Sequence, residues 1–244
     1  MIKVGVLGAA GRMGATVCDA VEADDDLELV ARVDVDHSLD DLVSSGAEVA
    51  VDFTTPASVR ANVEFCLDHG IHAVVGTTGL AADDLDALGT RVASAGVNVF
   101  VAPNFALGAV LMMRFAAQAA PYFDTAEIVE RHHDKKLDAP SGTALRTADL
   151  MNGARGQPWH ASVESNDSLG GSRGGDRDGL RIHSLRVRGS VAHQEVVLGS
   201  AGETLTIRHD SLDRSSFMPG VMLAVKKVAS LDGLVVGLEH LLDL

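Results

Sequence analysis

Short apolar runs alternate with amphipathic stretches through the first hundred residues. The runs are rich in Val, Ile and Leu and are typical of strands, and the stretches between them have the apolar spacing of helices. A repeating strand–helix order predicts a parallel sheet with helices on both faces. The predicted strands are Ile2–Leu7, Leu27–Val33, Val49–Phe53, Ile71–Val75 and Val97–Val101, and the predicted helices are Ala15–Glu22, Ala57–Asp68 and Ala82–Ser94.

The pattern changes after residue 105. A long apolar helix is predicted over Ala106–Tyr122, followed by a strand at Thr125–Arg131 and a helix-like run at Thr143–Met151. From Leu180 onward apolar and polar residues alternate in three segments, which predicts three antiparallel strands of an open sheet. The apolar segments after Phe217 are expected to return to the first sheet and cover it. The predicted fold class is α/β: a doubly wound parallel sheet, with a second α+β domain that contains an open mixed or antiparallel sheet.

Composition and charge exclude several kinds of partner. The formal net charge is −14, so neither nucleic acid nor an anionic membrane is an expected partner. No apolar run approaches the roughly 18 residues that cross a bilayer, and no basic-then-apolar leader opens the sequence, so we expect a cytoplasmic protein. Cys18 and Cys66 have no metal-binding spacing; we expect free thiols and no metal site.

A glycine-rich turn follows the first predicted strand directly. The segment Gly8–Gly14 reads GAAGRMG and precedes a helix, which is the context in which such glycines let a backbone approach a pyrophosphate. The spacing is GxxGxxG, so a tight turn without a ligand is the alternative. Asp34 ends the second strand, 20 residues (34 − 14) after Gly14, where an acid can accept hydrogen bonds from ribose hydroxyls. Together these features predict a Rossmann-type dinucleotide-binding domain.

Small and hydroxyl residues follow the other predicted strands. Thr54 and Thr55 follow the third strand, Gly76–Gly79 the fourth, and Ala102–Phe105 the fifth. Each set alone is explained by a turn. Because the carboxyl ends of parallel strands meet at one edge of a sheet, the sets together predict the floor of a cofactor site.

The segment Glu130–Thr143 carries two adjacent His and two adjacent Lys between a strand-like run and a helix-like run. Imidazoles exchange protons near neutral pH, ammonium groups supply charge, and a helix start favours anions. The segment predicts a site for a carboxylate-bearing or phosphorylated substrate. Solvated histidines at the end of a strand are the alternative explanation.

Two further regions leave alternatives open. The Gly- and Asp-rich segment Asn166–Gly179 is either a surface loop or a mobile lid whose Arg173 or Arg177 reaches an anionic ligand or a neighbouring subunit. The histidines near the last predicted strands have no metal-binding spacing, and packing explains them more simply. They are His183, His193 and His209.

Five motifs together resemble one family. They are GAAGRMG at Gly8–Gly14, VDFTTP at Val51–Pro56, VVGTTG at Val74–Gly79, APNF at Ala102–Phe105 and ERHHDKKLDAPSGTA at Glu130–Ala144. In order and spacing, over essentially its whole length, the chain resembles the 4-hydroxy-tetrahydrodipicolinate reductases, also called dihydrodipicolinate reductases, of the diaminopimelate route to lysine. The resemblance implies NAD(P)H-dependent reduction of 4-hydroxy-tetrahydrodipicolinate to tetrahydrodipicolinate, a small dicarboxylate, by a homotetramer.

The resemblance also implies a domain organisation and a set of site residues. Residues 1–105 and 213–244 would form the dinucleotide-binding domain, and 106–212 the substrate-binding and oligomerisation domain. His132 would be the acid/base residue and Lys136 the proton donor. His133 with Ser141, Gly142 and Thr143 would hold a substrate carboxylate. The implied cofactor-binding residues are Gly8, Ala9, Ala10, Gly11, Arg12, Met13, Asp34, Gly76, Thr77, Thr78, Ala102, Pro103, Asn104 and Phe105.

The choice between NADH and NADPH rests on three residues. Family members that use both cofactors well can carry Arg directly after the ribose acid, where this chain has Val35. Asp34 also repels a 2′-phosphate, which favours NADH, although Arg12 could still reach that phosphate. Two alternatives to the reductase stay open on the sequence: another Rossmann dehydrogenase of the aspartate or homoserine type, and a nucleotide-sensing module without turnover.

Overall fold

A computed structural model describes residues 1–160 and 168–242. The chain forms two compact units, which are described separately. One consists of Met1–Leu107 with the chain from Arg214 onward, and the other of Gly108–Asp213. The boundaries expected from the sequence, at 106 and 213, lie within two residues of these.

The first unit is built on a six-stranded parallel sheet. Numbered along the whole chain, its strands stand in the order β11-β5-β4-β3-β1-β2. They are β1 (Ile2–Leu7), β2 (Leu27–Val33), β3 (Val49–Asp52), β4 (His72–Val75), β5 (Val99–Val101) and β11 (Leu234–Val236). The helices are α1 (Arg12–Glu22), α2 (Asp40–Ser44), α3 (Val59–Asp68), α4 (Ala82–Ala95) and α7 (Met218–Lys227).

Burial on both faces explains why these strands read as apolar runs. All four residues of β3 and the last three of β4 are buried, so the side chains on both faces of the sheet are covered. In α1 the buried residues Val17, Cys18 and Val21 recur at helical spacing and form its sheet-facing stripe. The predicted α/β fold class is therefore confirmed. The sequence missed β11 and α2, which have only three and five residues.

The second unit is built on a mixed five-stranded sheet in the order β10-β9-β6-β8-β7. Helix α5 (Leu107–Ala119) leads into it, and α6 (Gly142–Arg155) packs on one face. The strands are β6 (Thr125–His132), β7 (Gly175–Arg177), β8 (Leu180–Arg186), β9 (Ala192–Ser200) and β10 (Glu203–Ser211).

The prediction of three antiparallel strands after Leu180 is wrong for the first of them. β6 lies between β8 and β9, pairing parallel with β8 and antiparallel with β9. The physical reason is the hairpin after α6: the chain first forms β7, which pairs antiparallel with β8, and the turn between them leaves β8 parallel to β6. Alternation of apolar residues identifies the buried face of a strand but does not show which strand it pairs with.

Pairing across β8, β6, β9 and β10 aligns side chains in rows beneath α6. One row is apolar and joins Ile182, Ile128, Val196 and Ile207. The row two residues along β6 is polar and joins Ser184, Glu130, Gln194 and His209. Glu130 is thereby placed on the buried face of the central strand, where it is fully inaccessible to solvent.

Both arginines of the 166–179 segment contact carboxylates. Arg177 Nε lies 2.9 Å from Asp149 Oδ1, and Arg173 lies 3.8 Å from Glu127. Within its described part the segment also contributes β7, which the sequence did not predict. Residues 166 and 167 of this segment, which the sequence left as either a surface loop or a lid, lie outside the described residues. These contacts give both guanidinium groups partners within their own unit.

Candidate functional site

The site in the second unit is centred on Glu130, a residue that the sequence did not single out. β6 carries Glu130 and, two residues later on the same face, His132. His132 Nδ1 lies 2.5 Å from Glu130 Oε2. Arg186 on the neighbouring strand binds both carboxylate oxygens at 2.9 Å, in a two-pronged geometry suited to a planar guanidinium.

Glu130 remains ionised although it is buried. Burial alone would raise its pKa, but hydrogen bonds from His132, Arg186 and Ser184 outweigh burial and hold the pKa at about 2. An ionised carboxylate only accepts hydrogen bonds, so Nδ1 of His132 must carry the proton between them. This tautomer leaves Nε2 as the nitrogen of His132 that can exchange protons.

The loop after β6 is fastened to the same carboxylate. The backbone N–H of Ser141 donates to Glu130 Oε1 at 3.2 Å, and Arg186 Nη2 donates to the carbonyl of Asp138 at 2.6 Å. Lys136 Nζ is 2.8 Å from the Asp138 carboxylate. One buried ion pair therefore fixes His132, the start of α6 and the loop that carries Lys136.

Exposure distinguishes the two adjacent lysines. Lys136 is half-buried, whereas Lys135 and His133 beside it are exposed. The backbone N–H of Lys136 donates to the His133 carbonyl at 3.2 Å, which forms a turn. The structure thus gives Lys136 a defined position and leaves Lys135 to solvent.

The hydrogen-bonding groups of Ser141 are used within the protein, at the start of α6. Ser141 is the N-cap, and its buried hydroxyl oxygen accepts from the Ala144 N–H at 3.2 Å. The backbone N–H of Ser141 donates to Glu130, so it is not available to a substrate carboxylate. Gly142 is exposed, and a Cβ on it would meet no atom within 4 Å. Space for an anion therefore lies at Gly142.

The glycine-rich turn of the first unit uses most of its own N–H groups. Gly8 and Ala9 donate to the Val33 carbonyl, and Gly11 donates to the Gly8 carbonyl. The Ala10 N–H donates to Asp34 Oδ2 at 2.7 Å. The N–H groups of the first four residues of the turn therefore already have acceptors within the protein.

The donors suited to a phosphate lie at the first turn of α1. Its N-cap, Gly11, makes no side-chain capping bond, so the helix start at Arg12 and Met13 lacks the usual protein acceptor. Gly8 has a φ of +77°, and a Cβ on Gly8 or Gly14 would overlap neighbouring backbone atoms. These two glycines let β1, the turn and α1 pack closely enough to present that helix end.

Asp52, at the end of β3, organises two of the predicted cofactor-binding turns. It is 2% exposed, and its carboxylate accepts from Asn62 Nδ2 at 2.8 Å and from Thr77 Oγ1 at 2.5 Å. It also accepts from the Thr54 N–H at 3.0 Å. The Thr77 side chain is therefore occupied with the protein, while Thr78 beside it is exposed. The sequence did not identify Asp52, although a polar residue that ends a buried strand was its signal.

Aromatic packing fixes the turn after β5. The buried ring of Phe105 lies 5.9 Å from Phe53 and 6.0 Å from Phe100, between ring centroids. A Cβ on Gly76 would overlap the Phe53 ring, so glycine there makes room for this cluster. Asn104 Oδ1 accepts from the Ala106 N–H at 2.9 Å, and Pro103 is exposed. Phe105 is thus a core residue that positions the turn.

Family comparisons agree with this division of the chain. Residues 2–105 match the model described as Dihydrodipicolinate reductase, N-terminus, and residues 108–242 match that described as Dihydrodipicolinate reductase, C-terminus. The 4-hydroxy-tetrahydrodipicolinate reductase of Nocardia farcinica is 54% identical over 246 residues, which cover 100% of this chain and 99% of that protein. The corresponding protein of Corynebacterium aurimucosum is 56% identical over 247 residues, with the same coverage.

The chain belongs to the dihydrodipicolinate reductase family. Its activity is that of a 4-hydroxy-tetrahydrodipicolinate reductase, an oxidoreductase of the diaminopimelate route to lysine. The family uses NADH or NADPH. The resemblance drawn from the motifs is confirmed, and the dehydrogenase and nucleotide-sensor alternatives are set aside.

Solved structures extend the comparison. A dipicolinate-bound dihydrodipicolinate reductase from Paenisporosarcina sp. TG-14 has a TM-score of 0.90 and 37% identity, covering 99% of this chain and 100% of that one. GenD2 from gentamicin A biosynthesis, in complex with NAD, has a TM-score of 0.61 at 15% identity, which shows a shared fold alone. Among the described residues of this reductase, no group of three or more His, Cys, Asp or Glu could hold a metal ion. None of its described helices is long and apolar enough to cross a membrane.

Proposed function

We propose that the second unit reduces a small dicarboxylate with His132 and Lys136 as its proton-transfer groups and with the start of α6 as a carboxylate site. The observation that carries this proposal is the shared carboxylate: Glu130 contacts both the His132 ring and the N–H of Ser141. Enzymatically generated 4-hydroxy-tetrahydrodipicolinate should cause the absorbance of the reduced nicotinamide to fall. Absence of turnover with either NADH or NADPH would reject the proposal.

Proton supply is the task proposed for Lys136. The ammonium is held by Asp138 at 2.8 Å, on a loop that Arg186 fastens to the sheet. Reduction of a C=N bond leaves negative charge that a nearby cation stabilises and a proton neutralises. His132, with its proton fixed on Nδ1, exchanges a second proton through Nε2.

One carboxylate of the substrate is proposed to bind at the start of α6. The first N–H groups of this 14-residue helix carry the positive end of its dipole, and Gly142 leaves open space beside them. The exposed imidazole of His133 adds a donor for the same anion. Fixed backbone donors bind a carboxylate with little reorganisation, and the dicarboxylate dipicolinate bound to the Paenisporosarcina reductase supports this choice of anion.

Replacing His132 with Gln is expected to lower kcat by about 10²- to 10⁴-fold, the range typical of a lost acid/base group. Gln can still hydrogen-bond to Glu130 but cannot carry a proton between solvent and substrate. Steady-state kinetics with saturating cofactor measure the effect.

Replacing His133 with Gln is expected mainly to raise the KM for the substrate, because the side chain is proposed to orient a carboxylate. Comparison of kcat and KM with the His132 variant provides the control. If His133→Gln lowered kcat while His132→Gln only raised KM, the two roles would be exchanged.

The cofactor is proposed to bind at the sheet edge of the first unit, with its pyrophosphate at the start of α1. When bound, NAD(P)H supplies the hydride. The uncapped helix start at Arg12 and Met13 fits a diphosphate, and the carboxylate of Asp34 can accept hydrogen bonds from a ribose. Hydrogen bonds from the N–H groups of Val35 and Ala10 lower the pKa of Asp34, so it is ionised and repels a 2′-phosphate. NADH is the proposed preferred cofactor.

Replacing Val35 with Arg is expected to raise kcat/KM for NADPH relative to NADH by at least about 10-fold. Val35 is 93% exposed directly beside Asp34, so a guanidinium there can reach a 2′-phosphate, and a hydrogen bond to a charged group contributes about 1.5–3 kcal/mol. Val43→Arg, which adds the same charge at an exposed position of α2, is the matched control. An equal gain with both cofactors would contradict the proposed position of the ribose.

A homotetramer is the proposed assembly, formed through the face of the five-stranded sheet that α6 does not cover. That face carries the aliphatic side chains Val129, Val197 and Leu185, of which Leu185 is 44% exposed. Exposed aliphatic groups on a sheet face favour contact with a second copy. Sedimentation equilibrium should give the mass of four 25.4 kDa chains, and the mass of a single chain would reject the assembly.

A further inference from the structure

The polar row beneath α6 puts polar side chains in the core of the second unit, where apolar side chains are expected. The adjacent row on the same face is wholly aliphatic, and aliphatic residues would fill this level of the core without the cost of burying a charge. The row contains a fully buried carboxylate, Glu130, and the buried amide of Gln194. A structural role alone does not require a charge there.

The contacts of Glu130 lead to the proposed catalytic groups. Its Oε2 binds the His132 ring, and its Oε1 accepts the N–H that opens α6. Arg186 binds both of these oxygens and also the Asp138 carbonyl, in the loop that carries Lys136. The side chain of Arg186 is 19% exposed, so this ion pair is shielded from solvent. The Glu130–Arg186 pair thus contacts the His132 ring, the start of α6 and the loop that carries Lys136.

We propose that Glu130 and Arg186 are positioning residues of the reductase: the ionised Glu130 holds the proton of His132 on Nδ1, and Arg186 holds Glu130 together with the loop of Lys136. This inference rests on the proposed role of His132. Neither residue needs to touch substrate. The carboxylate also stabilises the imidazolium that forms when Nε2 takes up a proton, as an acid beside a catalytic histidine does in other enzymes.

Several charged groups surround His132, but one carboxylate contacts its ring. Glu130 makes this contact at 2.5 Å from the buried side of β6, whereas Asp138 is paired with Lys136, and Asp134 is paired with Arg188 at 3.0 Å. The titratable and charged groups on the same face of the sheet or in the adjoining loop are Glu130 on β6, Arg186 on β8, His209 on β10, and His133, Asp134, Lys135, Lys136 and Asp138. On the opposite face the neighbouring strands carry Arg131, His183, His193 and Glu195.

The decisive variant is Glu130→Gln, which keeps the shape of the side chain and removes its charge. We expect kcat to fall about 10- to 100-fold with the KM for NADH unchanged, because the cofactor residues lie in the other unit. We also expect the limb of the pH–kcat profile that reports His132 to move to lower pH, since an imidazolium without its carboxylate releases its proton more readily. A wild-type kcat and an unshifted profile would overturn the inference.

Asp149→Asn is the matched control. Asp149 lies on the exposed side of α6 and pairs with Arg177 at 2.9 Å, so the variant removes one carboxylate charge from the same unit, away from the sheet. We expect its kcat within about twofold of wild type and its pH profile unchanged. If Asp149→Asn shifted the profile as Glu130→Gln does, a general loss of charge would explain both, and the inference would be rejected.

A double variant separates positioning from folding. Glu130→Gln leaves Arg186 without its carboxylate and can unfold the unit, whereas adding Arg186→Met removes that stranded cation. We expect the double variant to unfold at a higher temperature than Glu130→Gln while kcat stays low; recovery of both would mean a structural role only. A wild-type rate for His132→Gln would instead reject the proposed function, so the two failures are distinguishable.

Discussion

Replacing Lys136 with Ala is expected to lower kcat by more than about 100-fold, the size of effect typical of a lost general acid. In the structure Lys136 is one of two adjacent lysines, and its ammonium has a fixed position beside Asp138 at 2.8 Å. The substitution removes both the proton and the cation that stabilises charge developing on the reduced C=N bond. Single-turnover kinetics with a saturating cofactor measure the chemical step directly.

The neighbouring Lys135 provides the control for that prediction. Lys135 is exposed and carries the same charge one residue earlier, so Lys135→Ala should turn over at nearly the wild-type rate. If the Lys136 variant kept a near-normal kcat, its assignment as proton donor would be wrong. If Lys135→Ala were equally impaired, the net charge of the loop and not one ammonium would matter.

Acidification is expected to remove about 3 kcal/mol of folding free energy from the second unit through Glu130 alone. The pKa of Glu130 is lowered from 4.5 in its ordinary state to about 2 in the folded chain, because hydrogen bonds from His132 and Arg186 outweigh burial. A depressed carboxyl pKa stabilises the folded state above the unfolded pKa, and that contribution is lost as the pH falls from about 4.5 to about 2.

The fluorescence of Trp159 reports on unfolding of the second unit. It is the single tryptophan of the chain and lies in that unit's core at 8% exposure. Denaturant titrations followed by its fluorescence should show Glu130→Gln destabilised by about 3–5 kcal/mol at neutral pH, with the difference from wild type shrinking toward pH 2. Asp149→Asn, which breaks the exposed pair with Arg177, should differ from wild type by no more than about 1 kcal/mol. A constant difference at all pH values would contradict the ionised state of Glu130.

Local pattern was sufficient where a residue's role depends on its near neighbours. The strands Ile2–Leu7 and Leu27–Val33 have the bounds that the sequence predicted. The first ends in four buried residues, and the second buries Leu27, Ala31 and Val33 on one face, and both patterns are local to the strand. The helix start at Gly142 was placed within one residue, since Ser141 is a favourable N-cap just before it. β11 was missed because three residues are too short to show a period.

Roles that depend on distant partners could not be predicted. Glu130 was passed over because its partner Arg186 lies 56 residues away on a strand whose pairing the alternation did not reveal. Asp52 was missed for the same reason, since Thr77, one of its donors, follows another strand, 25 residues later.

The sequence by itself determined the parallel sheet, the glycine-rich turn after its first strand and the segment with His132, His133 and Lys136, because apolar period, glycine spacing and helix caps are local properties. Only the tertiary structure decided that β6 lies between β8 and β9 and that Glu130 sits buried beneath α6. Strand order brings charges together from distant parts of the chain, and the low dielectric of the core makes their pairing obligatory. The ionisation of Glu130 and the tautomer of His132 follow from that pairing.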